Sequence, residues 1–172
     1  LIDANFGNQQ LTALLLGDGV TPTGLTDVGT GGSTLAKAVI DIPHEGTGLI
    51  HLLARGTAPV QAPDFFASPS TAKLFKDVKA KYDLVLVDAT ATGHIVGQLA
   101  ATDAINELVK VGAVSEQTAW MREMLADPAV TGAAIVATPE EMPGNETLEL
   151  ADRLATETTV DRSWSCRAGC SV

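Results

Sequence analysis

Apolar residues fall along this chain in two rhythms. Leu84, Val85, Leu86 and Val87 form a run of four, two of them β-branched, closed by Asp88, which is the pattern of a central strand buried on both faces. Residues 48–53 (GLIHLL) and 131–138 (TGAAIVAT) are similar short apolar runs bounded by glycine or turn residues and read as further buried strands. Leu1, Ile2 and Asp3 read as the tail of another strand, whose first residues would lie upstream. Between the runs the period lengthens. Residues 70–81 place Leu74 and Val78 one helical turn apart with lysines on the other faces, a surface amphipathic helix. Helices are also predicted over residues 8–16, 33–40 with Ser33 as N-cap, 99–110, 115–125, and 145–156 with Asn145 as N-cap. Turns are expected at Gly17-Asp18-Gly19, at Thr21 to Gly24, and at Asp127-Pro128.

Strands separated by helical crossovers predict an α/β fold, a mostly parallel sheet flanked by helices with right-handed connections. Ligands of such sheets bind outside the carboxyl ends of the strands. Here those ends are Asp3, Ala54-Arg55, Asp88 and Thr138-Pro139.

Composition narrows the function classes. With 172 residues the chain has the size of one ordinary domain, and 45% hydrophobic with 4% aromatic residues suits helices on a sheet better than an all-β sandwich. A net charge of -10 repels polyanions and leaves no basic stripe, so nucleic-acid binding is not expected. No run approaches a membrane span, and the first residues lack a secretion-signal pattern, so no direct membrane insertion and a cytoplasmic location are expected. Cys166 and Cys170 both lie in the last seven residues and read as incidental rather than as a metal pair or disulfide framework.

Asp88 ends a buried hydrophobic strand, a recurrent way to hold magnesium beside a nucleotide phosphate, although strand-end aspartates also serve as plain helix caps. Asp3 holds the same position on another strand, followed by Ala4-Asn5-Phe6-Gly7. The glycine-rich segment Gly29-Thr30-Gly31-Gly32-Ser33-Thr34 imitates a phosphate loop. It lacks a preceding strand and a Lys-Ser/Thr pair, since the residues before it (GLTDV) read as a short helix and Lys37 falls on the next one. A glycine-rich turn that contacts no anion is predicted there. His94 follows Thr92-Gly93 where a loop could sense phosphate. His44 and His51 show no metal-ligand spacing with it, and no Ser-His-Asp order can be argued.

Two resemblances build on these residues. Residues 1–88 resemble the ATPase or tyrosine-kinase proteins of capsular and exopolysaccharide export, through LIDANFGNQQLTALL, GLTDVGTGGSTLAKAV, GLIHLLARGTAPVQAPDFFASPSTAKLF and YDLVLVDA. Residues 82–160 resemble the ArsA-type anion-transporting ATPases, through YDLVLVDATATGHIVGQLA, INELVKVGAV and VATPEEMPGNETLELADRL. Both families belong to the ArsA/MinD-like, deviant phosphate-loop ATPases and share the strand ending in Asp88. The resemblance implies a P-loop NTPase-like fold, ATP and Mg2+ as cofactors, and a homodimer serving a membrane transport or export partner. It makes Asp3 the aspartate of the first switch and Asp88 the magnesium-associated aspartate. Asn5, Gly93, His94, Pro139 and Glu140 become residues on the nucleotide side.

The departures matter equally. The families' phosphate loop would precede residue 1, so its lysine and magnesium-binding hydroxyl are not among these residues. Residues 161–172 match neither family, which predicts one partial nucleotide-switch domain over 1–160 and a divergent tail. Tyr82 is the only tyrosine, so no self-phosphorylation on the capsular kinases' tyrosine cluster is expected. The leading expectation is an ATP-dependent switch ATPase driving a transport or export partner, incomplete in this chain. The alternative is a dimerisation or interaction module that keeps the fold without hydrolysis.

Overall fold

In a computed structural model the described residues are 1–7, 10–46, 48–66, 68–89, 95–97, 99–100, 119, 122–137 and 141–167. They fall into two compact units, Leu1–Thr90 and Ala91–Val172.

The first unit is a four-stranded mixed sheet with helices. Strands β1 (Ile2–Asp3), β2 (Val39–Ile42), β3 (Ile50–Leu53) and β4 (Val87–Asp88) lie in the order β2-β3-β1-β4. β1 pairs in parallel with both β3 and β4, whereas β2 runs antiparallel to β3. Helices α1 (Gln10–Leu16), α2 (Leu25–Gly29), α3 (Leu35–Ala38), α4 (Ala62–Phe66) and α5 (Pro69–Lys81) connect them. Ile2, Leu25, Leu53, Phe65, Leu74 and Val78 are among the residues of its buried core.

Helix α5 shows how sequence makes the packing. Ser68 caps it by accepting from the Thr71 amide at 3.2 Å, and Pro69 fills a first-turn position where an amide hydrogen has no intrahelical partner. Thr71, Leu74 and Val78 recur at helical spacing and are the buried residues. The lysines face water, with Lys73 paired to Asp77 at 2.7 Å in an exposed i,i+4 contact.

Two expectations are corrected in this unit. Residues 33–40 are not one helix: Thr34, not Ser33, is the N-cap of the four-residue α3, and the chain then extends at Val39. The β-branched Val39, Ile40 and Ile42 pair with β3 in a ladder, and this tertiary pairing overrides the helical pattern. Nor is the Leu84 to Val87 run a central strand. Only Val87 and Asp88 are in the ladder, because β1 offers just Ile2 and Asp3 as partners. Among the described residues β4 is the edge of its sheet, and Leu84 is 74% exposed.

The second unit pairs β5 (Gly132–Ala137) in parallel with β6 (Asp161–Arg167) across the crossover helix α6 (Glu141–Glu157). Val96, Ile135, Leu150 and Leu154 form its buried cluster. Helix α6 begins four residues before the expected Asn145 cap, with Pro143 inside its first turn, where proline is tolerated. The segment after residue 160 continues as a strand. The turn at Asp127 holds as expected, the Asp127 carboxylate accepting from the Ala129 amide at 2.9 Å. Among the described residues no helix is long and apolar enough to cross a membrane.

Candidate functional site

β1 and β4 are parallel neighbours, and their register pairs Asp3 with Asp88. Residues in register on adjacent parallel strands point to the same face of a sheet, so the two strand-end carboxylates stand side by side. The ladder is held by the Ile2 amide donating to the Leu86 carbonyl at 2.8 Å and the Ala4 amide to the Asp88 carbonyl at 2.9 Å.

The two aspartates live in different surroundings. Asp3 is fully buried. Its Oδ2 accepts from the Thr12 amide at 3.0 Å and from the Thr12 hydroxyl, and its Oδ1 accepts from the Asn5 amide at 3.3 Å. A buried carboxylate needs such donors, and Thr12, itself 1% exposed, lies in the first turn of α1. Asp3 therefore ties β1 to α1. Asp88 is half-buried, and burial followed by the nearby Asp3 charge pushes its carboxyl above the ordinary carboxylate range.

That pair suits a cation. Both groups offer hard oxygen donors, and a positive charge beside Asp88 would favour the ionised carboxylate that burial and the Asp3 charge disfavour. With the oxygens of Asp3 engaged by Thr12 and Asn5, Asp88 would be the direct donor to such an ion and Asp3 would supply charge. Among the described residues no group of three or more His, Cys, Asp or Glu could enclose a metal. An ion at Asp88 would thus complete its shell with water or phosphate oxygens, the habit of magnesium.

The other strand end named from sequence, Ala54-Arg55, is occupied by backbone. The Leu25 amide donates to the Ala54 carbonyl at 2.7 Å and the Thr26 amide to the Arg55 carbonyl at 2.8 Å, which docks the start of α2 on the end of β3. Gly24 permits this approach, because a Cβ there would sit 2.1 Å from the Ala54 oxygen. Asp27 completes the joint by accepting from the Gly24 amide at 2.8 Å, the Thr57 amide at 2.9 Å and the Thr57 hydroxyl at 2.8 Å. Burial would raise the Asp27 carboxyl, but the donors on Thr57, Gly24 and Ala58 outweigh it and hold it below its ordinary value. The Gly-Leu-Thr-Asp-Val segment is thus a structural clasp.

The glycine-rich segment after it is a helix end. The amides of Thr30 and Gly31 donate to the carbonyls of Thr26 and Val28, and those of Gly32 and Ser33 to Asp27, with Gly31 at a φ of 82°. Amides spent on carbonyls are not available to an anion. Asn5 lies beside Asp3, its amide on the carboxylate. Gly93, His94, Pro139 and Glu140 lie outside the described residues, as does Thr138. α4, β2 and β6 are the elements that sequence reading missed. The β-branched residues at 39, 40 and 42 were the available signal for β2.

No family model and no curated protein matches the chain. Solved structures share its fold. The VpsO kinase domain superposes with a TM-score of 0.62 at 14% identity, over 95% of this chain and 66% of that one. The BceF tyrosine kinase domain gives 0.57 at 18% identity, over 96% and 54%. The kinase domain of the Escherichia coli tyrosine kinase ETK gives 0.58 at 16% identity, over 99% and 56%. The chain therefore spans from just over half to about two thirds of the chains it resembles. At such identities the likeness speaks for architecture: a P-loop NTPase-like α/β fold, with a largely parallel sheet flanked by helices.

Proposed function

We propose that the chain is the switch portion of an ATP-dependent switch ATPase of the ArsA/MinD-like group, acting as a homodimer on a transport or export partner in the cytoplasm. The observation that carries this reading is the in-register Asp3–Asp88 pair at the carboxyl ends of adjacent parallel strands. In this fold that place is where phosphates and their metal ion would lie. Asp88 is the magnesium-associated carboxylate. Asp3, locked by Thr12, fixes the neighbouring strand end and adds negative charge. Magnesium bound there would neutralise phosphate charge. The kinase-domain neighbours support a nucleotide-binding use of the fold, and the ArsA-type assignment rests on the motifs of residues 82–160. Gly93, His94, Pro139 and Glu140 are proposed to face the nucleotide.

One observation favours the second reading, a dimerisation or interaction module without hydrolysis. The 172 residues contain no Gly-x-x-x-x-Gly-Lys-Ser/Thr, and the one glycine-rich imitation spends its amides internally. Phosphoryl transfer depends on positioning and charge neutralisation, much of it supplied in such enzymes by that loop and its lysine. By themselves these residues should bind Mg-ATP weakly and release phosphate no faster than an Asp88→Asn variant. Calorimetry with Mg-ATP and a phosphate-release assay test both readings. Micromolar binding with turnover abolished by Asp88→Asn would overturn the non-hydrolytic module. Unchanged weak binding in Asp88→Asn would remove Asp88 from the nucleotide site.

A further inference from the structure

Away from the aspartate pair, three side chains from separate segments form a relay. Asp41 on β2 stands opposite His51 on β3 in the antiparallel register, and its Oδ1 lies 3.1 Å from His51 Nε2. The other ring nitrogen, Nδ1, lies 2.8 Å from the phenolic oxygen of Tyr82, the residue that ends α5. A carboxylate only accepts, so in the neutral imidazole the proton sits on Nε2 facing Asp41. Nδ1 is then the acceptor, and the Tyr82 hydroxyl donates to it.

The surroundings extend this arrangement. The two rings meet edge to face at 5.4 Å, which fixes the imidazole against the phenol. Lys81 places its ammonium 5.4 Å from the Tyr82 ring centroid, a cation–π contact that helps hold the ring. His51 and Tyr82 also line an otherwise apolar cavity of about 260 Å³, with Leu35, Val39, Leu49 and Leu84 on its wall. The hollow is open to solvent, with Leu49 and Leu84 largely exposed on its wall, and it offers an apolar surface of the size of a short acyl chain or a single aromatic ring.

A hydroxyl against an imidazole that is itself oriented by a carboxylate is the arrangement that activates an oxygen nucleophile. We propose that Tyr82 is an acyl-acceptor site, with His51 as its base and Asp41 as the residue that positions His51, for activated esters of small apolar acids. The inference is independent of the nucleotide reading. In the step, the Tyr82 oxygen bonds to the ester carbonyl carbon, the bond from that carbon to the leaving alkoxide or phenoxide breaks, and the phenolic proton passes to His51 Nδ1. The products are an O-acyl tyrosine and the free alcohol or phenol once the proton is passed on.

The test mixes the full chain with p-nitrophenyl butanoate at neutral pH, follows p-nitrophenolate release, and maps the acyl group by peptide mass. The expected result is a burst of one equivalent per chain, with the butanoyl group on Tyr82. Tyr82→Phe, which keeps the ring, abolishes the burst. His51→Gln slows it by about 10²-fold, the scale of a lost general base. Asp41 is 85% exposed at its side chain, so Asp41→Asn leaves the unfolding midpoint unchanged while slowing the burst several-fold, a split that a purely structural contact would not produce. Acylation confined to lysines would overturn the proposal. So would Tyr82 acylation that proceeds equally fast in the parent, in Asp41→Asn and in the urea-unfolded chain.

Discussion

The tie between Asp3 and helix α1 can be cut with one isosteric change, Thr12→Val. Threonine and valine have nearly the same shape and similar helix propensity, so no cavity opens and the helix is not otherwise weakened. What disappears is the hydroxyl donor to a fully buried carboxylate, while the Thr12 amide bond to the same oxygen remains. A hydrogen bond to a charged group contributes about 1.5–3 kcal/mol, and losing it leaves Asp3 less satisfied in a site that water does not reach. For a unit of this size a loss of about 2 kcal/mol lowers the thermal midpoint by roughly 10 °C. The sequence supplies a clean probe. Tyr82, the only tyrosine, lies in the first unit, whereas both tryptophans, Trp120 and Trp164, lie beyond residue 90. An isotopically labelled tyrosine followed by NMR through urea and heat reports the first unit alone. Thr12→Ser, which restores the hydroxyl, should recover most of the loss. A Thr12→Val midpoint within about 0.5 kcal/mol of the parent, the scatter of ordinary surface substitutions, would refute the anchoring of Asp3 by Thr12.

Three further outcomes follow from the same geometry. Gly24→Ala puts a methyl 2.1 Å from the Ala54 oxygen and must break the docking of α2 on β3; it should cost at least about 2 kcal/mol in urea unfolding, and a neutral result would show that the joint is pliant. The Asp27 carboxyl is held below its unfolded value, so the stability it lends is complete above the unfolded value of about 3.9 and is lost as pH falls through the lower folded value. Asp27→Asn should flatten that part of the acid limb of a stability-against-pH curve, and an unchanged limb would count against the clasp. Asp88 has the opposite sign: its raised carboxyl favours the fold below about 3.9, and that contribution is lost as pH rises through the folded value. Asp88→Asn should therefore raise the tyrosine-monitored midpoint at neutral pH and not in acid; a lowered neutral midpoint would contradict the crowded-carboxylate account.

Much of the first unit was legible in sequence because its elements carry local signals. Residues 70–81 announce α5 by the spacing of Leu74 and Val78 against lysines on the other faces, and the run 48–53 announces β3 by its glycine boundaries. Asp3 and Asp88 could be named as strand ends, but their shared register is a product of β1 and β4 pairing, which no local pattern encodes. The helical reading of residues 33–40 had a second consequence. It hid β2, and with it the antiparallel register that sets Asp41 opposite His51. The Leu84 to Val87 run misled in the other direction, since an apolar run speaks of surface to be covered and not of which neighbour covers it. The clasp around Asp27 is legible in the sequence only as a motif, because its partner Thr57 is thirty positions away.

The central claim is that Asp88, beside a buried Asp3, receives a divalent cation at the carboxyl edge of the sheet. Manganese substitutes for magnesium on oxygen donors and broadens the NMR signals of nearby nuclei, so a manganese titration of the full chain locates the ion without any need for turnover. The predicted result is early broadening of the Asp88, Asp3 and Ala4 amide signals, abolished in Asp88→Asn and retained in a control substitution of the exposed Asp77. Broadening spread over the acidic surface, with the signals around Asp88 affected no earlier than the rest or unchanged by Asp88→Asn, would contradict it.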